Sequence, residues 1–276
     1  MKHILIAGAN SYIGESFKEY MKQYPDQYSV AEIETKGLEP TPELFKGNDV
    51  VFCVAGIAHI KETNENRHLY YEVNRDLVIK IAKAAKEAGV KQFILLSSMS
   101  VYGLTVGHIM KDTIPAPNTA YGDSKLQADK EIKKLEDPDF IFTCLRPPMV
   151  YGKNCTGNYK TLRKFALKIP IFPEFGNKRS MVYIGNLCQF VKDCIDLERG
   201  GLFFPQNEDY VNTSSMVKMV AEQHGKRLRT TKIFNWAIKI FPLKVVKKVF
   251  GNLTYEPVDT VGKYGFSESI KLTEEE

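Results

Sequence analysis

Tyr121 and Lys125 are spaced so that they meet on one face of a helix. Among the 14 tyrosines of the chain, only Tyr121 is followed by a lysine four residues later. Positions i and i+4 are neighbours on a helix surface. An ammonium group beside a phenol stabilises the phenolate and lowers the pKa of the phenol toward neutrality. We therefore predict that this pair takes a proton from an alcohol or returns one to a ketone.

The segment before this pair supplies hydroxyl groups at the end of a predicted strand. Residues 92–97, with the apolar run 93–96, predict a strand that leads into Ser98 and Ser100. The carboxyl ends of parallel strands are where α/β proteins form ligand sites. Ser97 or Ser98 could bond a reacting oxygen there, although such hydroxyls can also simply close a strand end.

A glycine-rich turn at residues 8–14 lies between the first predicted strand and the first predicted helix. Such a turn directs backbone N–H groups and a helix N-terminus at a pyrophosphate. The predicted cofactor contacts in this turn are Gly8, Asn10, Ser11, Tyr12, Ile13 and Gly14. An ordinary strand-to-helix turn is the alternative. The serine strand end and the Tyr-x-x-x-Lys spacing that follow in order favour the dinucleotide site.

An acidic residue about 20 positions beyond such a turn is expected to bond the ribose hydroxyl of a dinucleotide. Glu34, at the end of the second predicted strand, is the candidate, and Glu32 is the alternative if the strand register differs. A carboxylate there favours NAD because it repels a 2′-phosphate. Lys36 lies close by and would have the opposite effect, so NADP stays an alternative.

The elements that must position these residues alternate in type along the first half of the chain. Apolar runs predict strands at 3–7, 49–55, 92–97 and 140–145, and residues 28–33 predict a weaker strand. Helical patterns lie between them at 13–24, 64–88 and 118–136. This alternation is typical of a parallel sheet covered on both faces. We therefore predict an α/β fold of Rossmann type with a doubly wound parallel sheet.

The second half is less regular and predicts a smaller C-terminal substrate lobe. Helical patterns occur at 161–167 and 187–197, and residues 201–204 predict one further strand. We assign an NAD(P)-binding Rossmann domain and a substrate-binding lobe. The first comprises residues 1–150 with 180–205 returning to it, and the second comprises 151–179 and 206–276. Residues 273–276 are predicted to be a solvated end.

The composition is ordinary for a globular protein. Hydrophobic residues make up 43% of the sequence and charged residues 26%. The net charge of +5 is spread without a basic stripe, so nucleic-acid binding is not predicted. Five cysteines without a CxxC pair and five scattered histidines predict neither disulfides nor a metal site. No apolar run suits a signal peptide or a membrane span, so a cytoplasmic protein is expected.

Residues 232–250 mix apolar side chains with lysines, which is compatible with an amphipathic surface at a membrane. Pro242 interrupts this pattern and favours a helix that packs on the rest of the protein. Membrane contact is therefore not predicted.

Together these motifs resemble the extended short-chain dehydrogenase/reductases, in particular the NAD-dependent epimerase/dehydratase family typified by UDP-glucose 4-epimerase. The resemblance covers nearly the whole chain and weakens after residue 207. The matching segments are 8–14, 49–55, 71–74, 89–94, 97–103, 121–125, 145–152 and 179–184.

The resemblance implies a role for individual residues. Tyr121 is implied to be the general acid/base, Lys125 to bond the nicotinamide ribose, and Ser98 to hold the C4 oxygen of a sugar. Asn74 is implied to support the geometry of the site and to lie by the cofactor. The remaining implied contacts are Ala55, Ser97 and Pro148 for the cofactor, and Asn158 and Arg179 for the nucleotide diphosphate.

The implied activity is NAD-dependent 4-epimerisation of a nucleotide sugar, UDP-linked in the leading case. The alternatives are reduction of a nucleotide-linked 4-keto-6-deoxy sugar with NAD(P)H, and a non-catalytic NAD(P)-binding regulator. A 4,6-dehydratase is disfavoured because those enzymes carry an Asp-Glu pair where this chain has Met99 and Ser100.

The chain is short for a UDP-glucose 4-epimerase, which implies a reduced substrate lobe and leaves the exact sugar open. Two residues also depart from the family pattern. Ser11 stands where the family usually has glycine, and Gly185-Asn186 replaces a more usual acidic residue. The family commonly forms homodimers through the helices that correspond to 64–88 and 118–136, so a homodimer is expected.

Overall fold

The structure is a computed structural model that describes residues 1–58, 60–233, 235 and 244–275. Within the predicted amphipathic stretch 232–250, residues 234 and 236–243 lie outside the described residues. Among the helices that are described, none is long and apolar enough to cross a membrane.

The described strands are numbered in chain order. They are β1 (Lys2–Ala7), β2 (Tyr28–Ile33), β3 (Val50–Cys53), β4 (Gln92–Leu96), β5 (Gly107–Ile109), β6 (Ile141–Leu145), β7 (Met149–Tyr151), β8 (Ile171–Pro173), β9 (Met181–Tyr183), β10 (Gly201–Phe203), β11 (Gln206–Asn207), β12 (Arg229–Thr231), β13 (Leu253–Tyr255) and β14 (Thr260–Val261).

The described helices follow the same convention. They are α1 (Tyr12–Met21), α2 (Arg67–Tyr71), α3 (Val78–Glu87), α4 (Ala120–Lys133), α5 (Asn158–Lys168), α6 (Ile184–Asp196), α7 (Thr213–Gln223), α8 (Lys244–Phe250) and α9 (Phe266–Glu274). Short 3-10 turns span Pro42–Leu44 and Met99–Tyr102, and a π-helical segment spans Glu72–Leu77.

Six strands form one parallel sheet in the order β10-β6-β4-β3-β1-β2. The strand β1 pairs with β2 on one side and with β3 on the other, so the winding of the chain reverses at β1. Ligands of such sheets bind in the crevice at the carboxyl ends of the strands beside this reversal. The predicted Rossmann fold with a doubly wound parallel sheet is confirmed.

The central strands β3, β4 and β6 are buried because they are mainly apolar runs, whereas the edge strand β2 is only partly buried. All four residues of β3, Val50–Cys53, are at most 2% exposed. The helix α3 covers the sheet with Val78, Ile81, Ala82 and Ala85, which lie on one helical face and are each 0% exposed. The predicted elements 161–167, 187–197 and 201–204 correspond to α5, α6 and β10.

The chain packs as two compact units. The first unit comprises Met1–Gly103, Ile114–Pro147 and Cys188–Pro205, and contains the six-stranded sheet. The second unit comprises Leu104–Thr113, Pro148–Leu187 and Gln206–Glu276. Within the second unit the strands form parallel pairs, β7 with β9, β8 with β12, β5 with β13, and β11 with β14.

Two sequence-based predictions about local structure are corrected. The predicted helix 64–88 is divided into α2, the π-helical segment and α3, and such π segments are frequent at functional sites. The predicted solvated end is wrong at Thr273 and Glu274, which are 6% and 7% exposed in α9. Tyr159 and Arg163 both donate hydrogen bonds to the Glu274 carboxylate, which offsets the cost of burying its charge.

Candidate active site

The glycine-rich turn joins β1 to α1 by a backbone path that requires glycine at position 8. Gly8 has a φ of 124°, a region that L side chains rarely adopt. A Cβ on Gly8 would lie 2.9 Å from the backbone nitrogen of Ala55. The turn therefore lies directly against the segment that follows β3, at the crevice where the sheet reverses its winding.

The first turn of α1 is closed by the residue that departs from the family pattern. Ser11 is the N-cap, and its Oγ accepts a hydrogen bond from the Gly14 N–H at 3.2 Å. A Cβ on Gly14 would lie 2.6 Å from this Oγ, so the serine requires the glycine. Tyr12 and Ile13 begin the helix, and Asn10 has a left-handed φ of 62°. The helix N-terminus at this turn favours an anion.

Glu34 is held by hydrogen bonds next to the glycine-rich turn. Its Oε1 accepts the backbone N–H groups of Thr35 and Lys36 at 2.9 and 3.0 Å, and its Oε2 accepts from Asn10 Nδ2 at 3.4 Å. The bonds from Lys36 and Thr35 lower the pKa of the Glu34 carboxyl. The alternative, Glu32, forms an ion pair with Lys18 at 2.9 Å. Between the two predicted carboxylates, Glu34 is thus the one beside the turn.

Asn74 holds the backbone that follows β3. It lies in the π-helical segment and is 0% exposed. Its Oδ1 accepts the Ile57 N–H at 2.7 Å, and its Nδ2 donates to the Ile57 carbonyl at 3.1 Å. A Cβ on Gly56 would lie 2.9 Å from Asn74 Oδ1 and 3.0 Å from Lys125 Nζ. Glycine at 56 therefore lets the strand end approach both side chains.

Lys125 is buried on α4 with its ammonium group at the ends of two strands. The residue is 4% exposed. Its Nζ donates to the Ala55 carbonyl at 3.2 Å and to the Leu96 carbonyl at 3.0 Å. Burial lowers the pKa of the Lys125 ammonium, because the charged form loses its hydration. The lysine thus joins the carboxyl ends of β3 and β4, where the sheet places a ligand.

Tyr121 lies one helical turn before Lys125, but its pKa moves in the direction opposite to the prediction. Burial raises the pKa of the Tyr121 phenol, and a hydrogen bond with the Ser98 side chain opposes that rise. The prediction that the ammonium lowers this pKa toward neutrality is wrong for this structure. The reason is that Lys125 donates to two backbone carbonyls and that the desolvation of the phenolate dominates.

The Ser98 side chain caps the 3-10 turn that follows β4. Its Oγ accepts the Ser100 N–H at 3.1 Å. The Ser98 side chain also forms the hydrogen bond with Tyr121, and Lys125 follows Tyr121 by one turn of α4, so all three residues belong to the first unit. Ser97 is buried, and its Oγ donates to Asp129 at 2.9 Å.

Three predicted contact residues belong to the second unit. Pro148 is buried immediately before β7, and Asn158 is the first residue of α5. Arg179 is not a free surface charge, because its Nη1 donates to the Gly251 carbonyl at 2.9 Å. Burial lowers the pKa of its guanidinium.

Sequence reasoning missed Gly56 and Asp129. The signal for Gly56 was its position directly after a predicted buried strand. The signal for Asp129 was its spacing of four residues beyond Lys125, which continues the face that carries Tyr121.

Comparison with known proteins identifies the family. A model of the NAD dependent epimerase/dehydratase family matches residues 4–192. The chain belongs to this family. The family resemblance drawn from the sequence motifs is thereby confirmed.

One curated relative illustrates the similarity in sequence. UDP-glucose 4-epimerase from Vibrio cholerae is 34% identical over 209 residues, a match that covers 71% of this chain and 63% of that protein. The chain thus spans less than two thirds of the length of this relative.

Two solved structures share the fold of this family member. UDP-glucuronic acid 4-epimerase from Bacillus cereus in complex with NAD superposes with a TM-score of 0.76 at 18% identity, over 98% of this chain and 95% of that one. The dTDP-4-dehydrorhamnose reductase of Bacillus anthracis in complex with NADP gives a TM-score of 0.76 at 16% identity, over 99% and 98%.

Proposed function

We propose that this family member is an NAD-dependent nucleotide-sugar 4-epimerase that works through a transient 4-keto sugar, with a UDP-linked substrate. The proposal is supported by Lys125, one helical turn beyond Tyr121 on α4, whose ammonium group lies at the carboxyl ends of β3 and β4. It is also supported by the hydrogen bond between the side chains of Tyr121 and Ser98. The relative at 34% identity, which is a UDP-glucose 4-epimerase, supports this choice of reaction.

The residues that are present fit a dinucleotide. A Cβ on Gly8 would collide with Ala55, and a Cβ on Gly56 would collide with Asn74 and Lys125, so glycine at both positions lets the backbone lie closer to the crevice than a side chain would allow. The pyrophosphate would bind at residues 8–14 and the N-terminus of α1. The ribose hydroxyls would bind Glu34, and the Lys125 ammonium would bond the nicotinamide ribose.

The carboxylate at Glu34 supports NAD over NADP. Its lowered pKa keeps it charged at neutral pH, so that it repels a 2′-phosphate. Lys36 lies near this carboxylate and contributes to the lowering of its pKa. The charge of Lys36 is therefore partly compensated.

The chemistry of the chain itself is proton transfer at the C4 oxygen of the sugar. NAD, when bound, supplies a reversible hydride acceptor and a positive charge that favours the Tyr121 phenolate. Tyr121 would take the proton of the C4 hydroxyl and return a proton to the same oxygen when the sugar is formed with the opposite configuration at C4. Ser98 would hydrogen-bond this oxygen throughout. Arg179 and Asn158 would contact the diphosphate, for which a guanidinium is well suited.

The test is the interconversion of UDP-glucose and UDP-galactose by purified protein, with mass spectrometry of the released cofactor. We expect interconversion without net NADH, and loss of about 10²-fold or more in kcat for Tyr121→Phe. Stoichiometric release of NADH with product would contradict the proposal. Equal cofactor binding by the wild type and Tyr121→Phe without turnover by either would indicate a non-catalytic regulator.

The second candidate is a 4-ketoreductase for a nucleotide-linked 4-keto-6-deoxy sugar. The likeness of the fold to that of the dTDP-4-dehydrorhamnose reductase of Bacillus anthracis, solved with NADP, supports this candidate. A reductase would consume NAD(P)H in proportion to product and release the oxidised cofactor.

The expected homodimer and the cytoplasmic location stay predictions. Determination of the molecular mass in solution would test the homodimer.

A further inference from the structure

A buried ion pair lies two helical turns from Tyr121 on the same face of α4. The positions 121, 125 and 129 are spaced by four residues. The side chains of Asp129 and Arg146 are 5% and 8% exposed, and Arg146 Nε lies 3.0 Å from Asp129 Oδ2. Such a pair adds little stability, because its desolvation offsets the attraction. Its placement beside the site therefore calls for another role.

The pair is connected to the chain on both sides of Ser98. Ser97 Oγ donates to Asp129 Oδ2 at 2.9 Å. Arg146 Nη1 donates to the Tyr102 hydroxyl at 2.9 Å, and the guanidinium lies 5.4 Å from the centre of that ring. Tyr102 ends the 3-10 turn that Ser98 caps. Ser97 is thus bonded directly to Asp129 on α4, and Tyr102 is connected to Asp129 through Arg146, which follows β6.

The charge of Asp129 acts on both groups of the proposed proton transfer. Asp129 raises the pKa of the Lys125 ammonium and that of the Tyr121 phenol. Arg146 faces Asp129 and opposes the rise that burial causes in the pKa of its carboxyl. The titratable groups that act on Tyr121 or Lys125 are Cys53 on β3, Tyr70 on α2, Cys144 on β6 and Asp129 on α4, and the Ser98 hydroxyl acts on Tyr121 as a hydrogen-bond partner.

We propose that Asp129 is a positioning residue for the proton transfer: through Ser97 and Arg146 it sets where Ser98 meets Tyr121, and its charge stabilises the Lys125 ammonium. This inference rests on the proposed function. A merely structural ion pair would affect the stability of the fold and leave the reaction unchanged.

The test variant is Asp129→Asn, which keeps the shape of the side chain and removes its charge. The matched control is Asp196→Asn on α6 in the same unit, where Asp196 accepts from Lys192 at 2.6 Å. For UDP-glucose interconversion we expect kcat to fall about 10- to 100-fold in Asp129→Asn with KM little changed. Both limbs of its pH profile should move to lower pH, because Asp129 no longer raises the two pKa values. The control should move neither limb.

A second readout needs no substrate. NMR of ring-labelled tyrosine follows the Tyr121 phenol, whose signal is the one missing in Tyr121→Phe. We expect Tyr121 to titrate at lower pH in Asp129→Asn than in the wild type or in Asp196→Asn. An unchanged titration in folded Asp129→Asn overturns the positioning role, whereas absence of turnover in the wild type overturns only the proposed function.

A milder variant covers the case in which Asp129→Asn does not fold. Tyr102→Phe removes one hydrogen bond from Arg146 and no charge. It should lower kcat with KM unchanged and leave the titration of Tyr121 in place. An unchanged kcat in folded Tyr102→Phe also overturns the proposal.

Discussion

Each of the two units contains a buried carboxylate paired with an arginine, Asp129 with Arg146 in the first and Glu274 with Arg163 in the second. The pKa values of the two carboxyls are shifted in opposite directions. Burial raises the pKa of Asp129 in the first unit, whereas hydrogen bonds lower that of Glu274 in the second. Desolvation opposes ionisation at both positions, so the difference lies in how the carboxylate oxygens are satisfied.

The hydrogen-bond partners explain the contrast. Glu274 Oε1 accepts from Tyr159 at 2.6 Å, and Oε2 accepts from Arg163 at 2.6 Å and contacts His224 Nε2 at 2.7 Å. At Asp129 both donors, Ser97 and Arg146, reach the same oxygen. Its Oδ1 accepts no bond from an N–H or O–H in the part of the chain that the structure describes.

The contrast separates two uses of a buried charge. The carboxylate of Glu274 is fully satisfied and connects α9 to α5 and to the end of α7. The carboxylate of Asp129 is incompletely satisfied and lies on the helix face that carries Lys125. A charge that is costly to bury and is retained beside a reactive pair is what a positioning role requires.

The largest effect on stability is expected from breaking the ion pair between Asp129 and Arg146. Asp129→Ala leaves Arg146 buried and unpaired, which should reduce the free energy of unfolding by about 3–5 kcal/mol. The double variant Asp129→Leu/Arg146→Met should recover most of that loss in chemical denaturation, but not kcat. Recovery of kcat together with stability would show that the pair serves packing alone.

The ion pair between Glu274 and Arg163 should affect the free energy of unfolding and the pH dependence of that free energy. Glu274→Gln removes a charged acceptor from Tyr159 and Arg163 and should cost about 1–3 kcal/mol at neutral pH. Because the folded pKa of Glu274 is lowered, its contribution is present above the ordinary value of 4.5 and is lost as the pH falls through the folded pKa.

The measurement is urea denaturation of both proteins between neutral and acid pH. The difference in stability between the wild type and Glu274→Gln should shrink below pH 4.5. A difference that stays constant with pH would mean that the charge of Glu274 contributes nothing. The contribution of Asp129 to stability should change with pH in the opposite direction. Because its folded pKa is raised, the folded state gains stability as the pH falls and this carboxyl is protonated.

The smallest effect is expected at a carboxylate that is exposed. Glu34→Gln should narrow the preference for NAD over NADP by a few-fold, because the charge is screened by water. Titration of each cofactor, followed by nicotinamide fluorescence or calorimetry, measures the ratio. An unchanged ratio would show that Glu34 does not face the ribose.

The parts of the site that follow from local geometry were predictable from the sequence. The helical spacing of Tyr121 and Lys125, the strand-to-helix turn at 8–14 and the parallel sheet each depend on neighbouring residues or on alternating patterns. These predictions agree with the elements that the structure places at the crevice.

The parts that depend on burial were not predictable in this way. The direction of the Tyr121 pKa follows from how fully its phenol is desolvated and from where Lys125 donates its hydrogen bonds. The burial of Glu274 depends on residues 50 to 115 positions away in the chain. No local pattern reports contacts of that kind.

The most direct test of the proposed reaction uses UDP-glucose that carries deuterium at C4. If the protein is a 4-epimerase, the UDP-galactose formed should retain the deuterium, because the hydride removed from C4 is returned to the same sugar. Product without deuterium, or product that forms only while added NAD(P)H is consumed, would contradict the account.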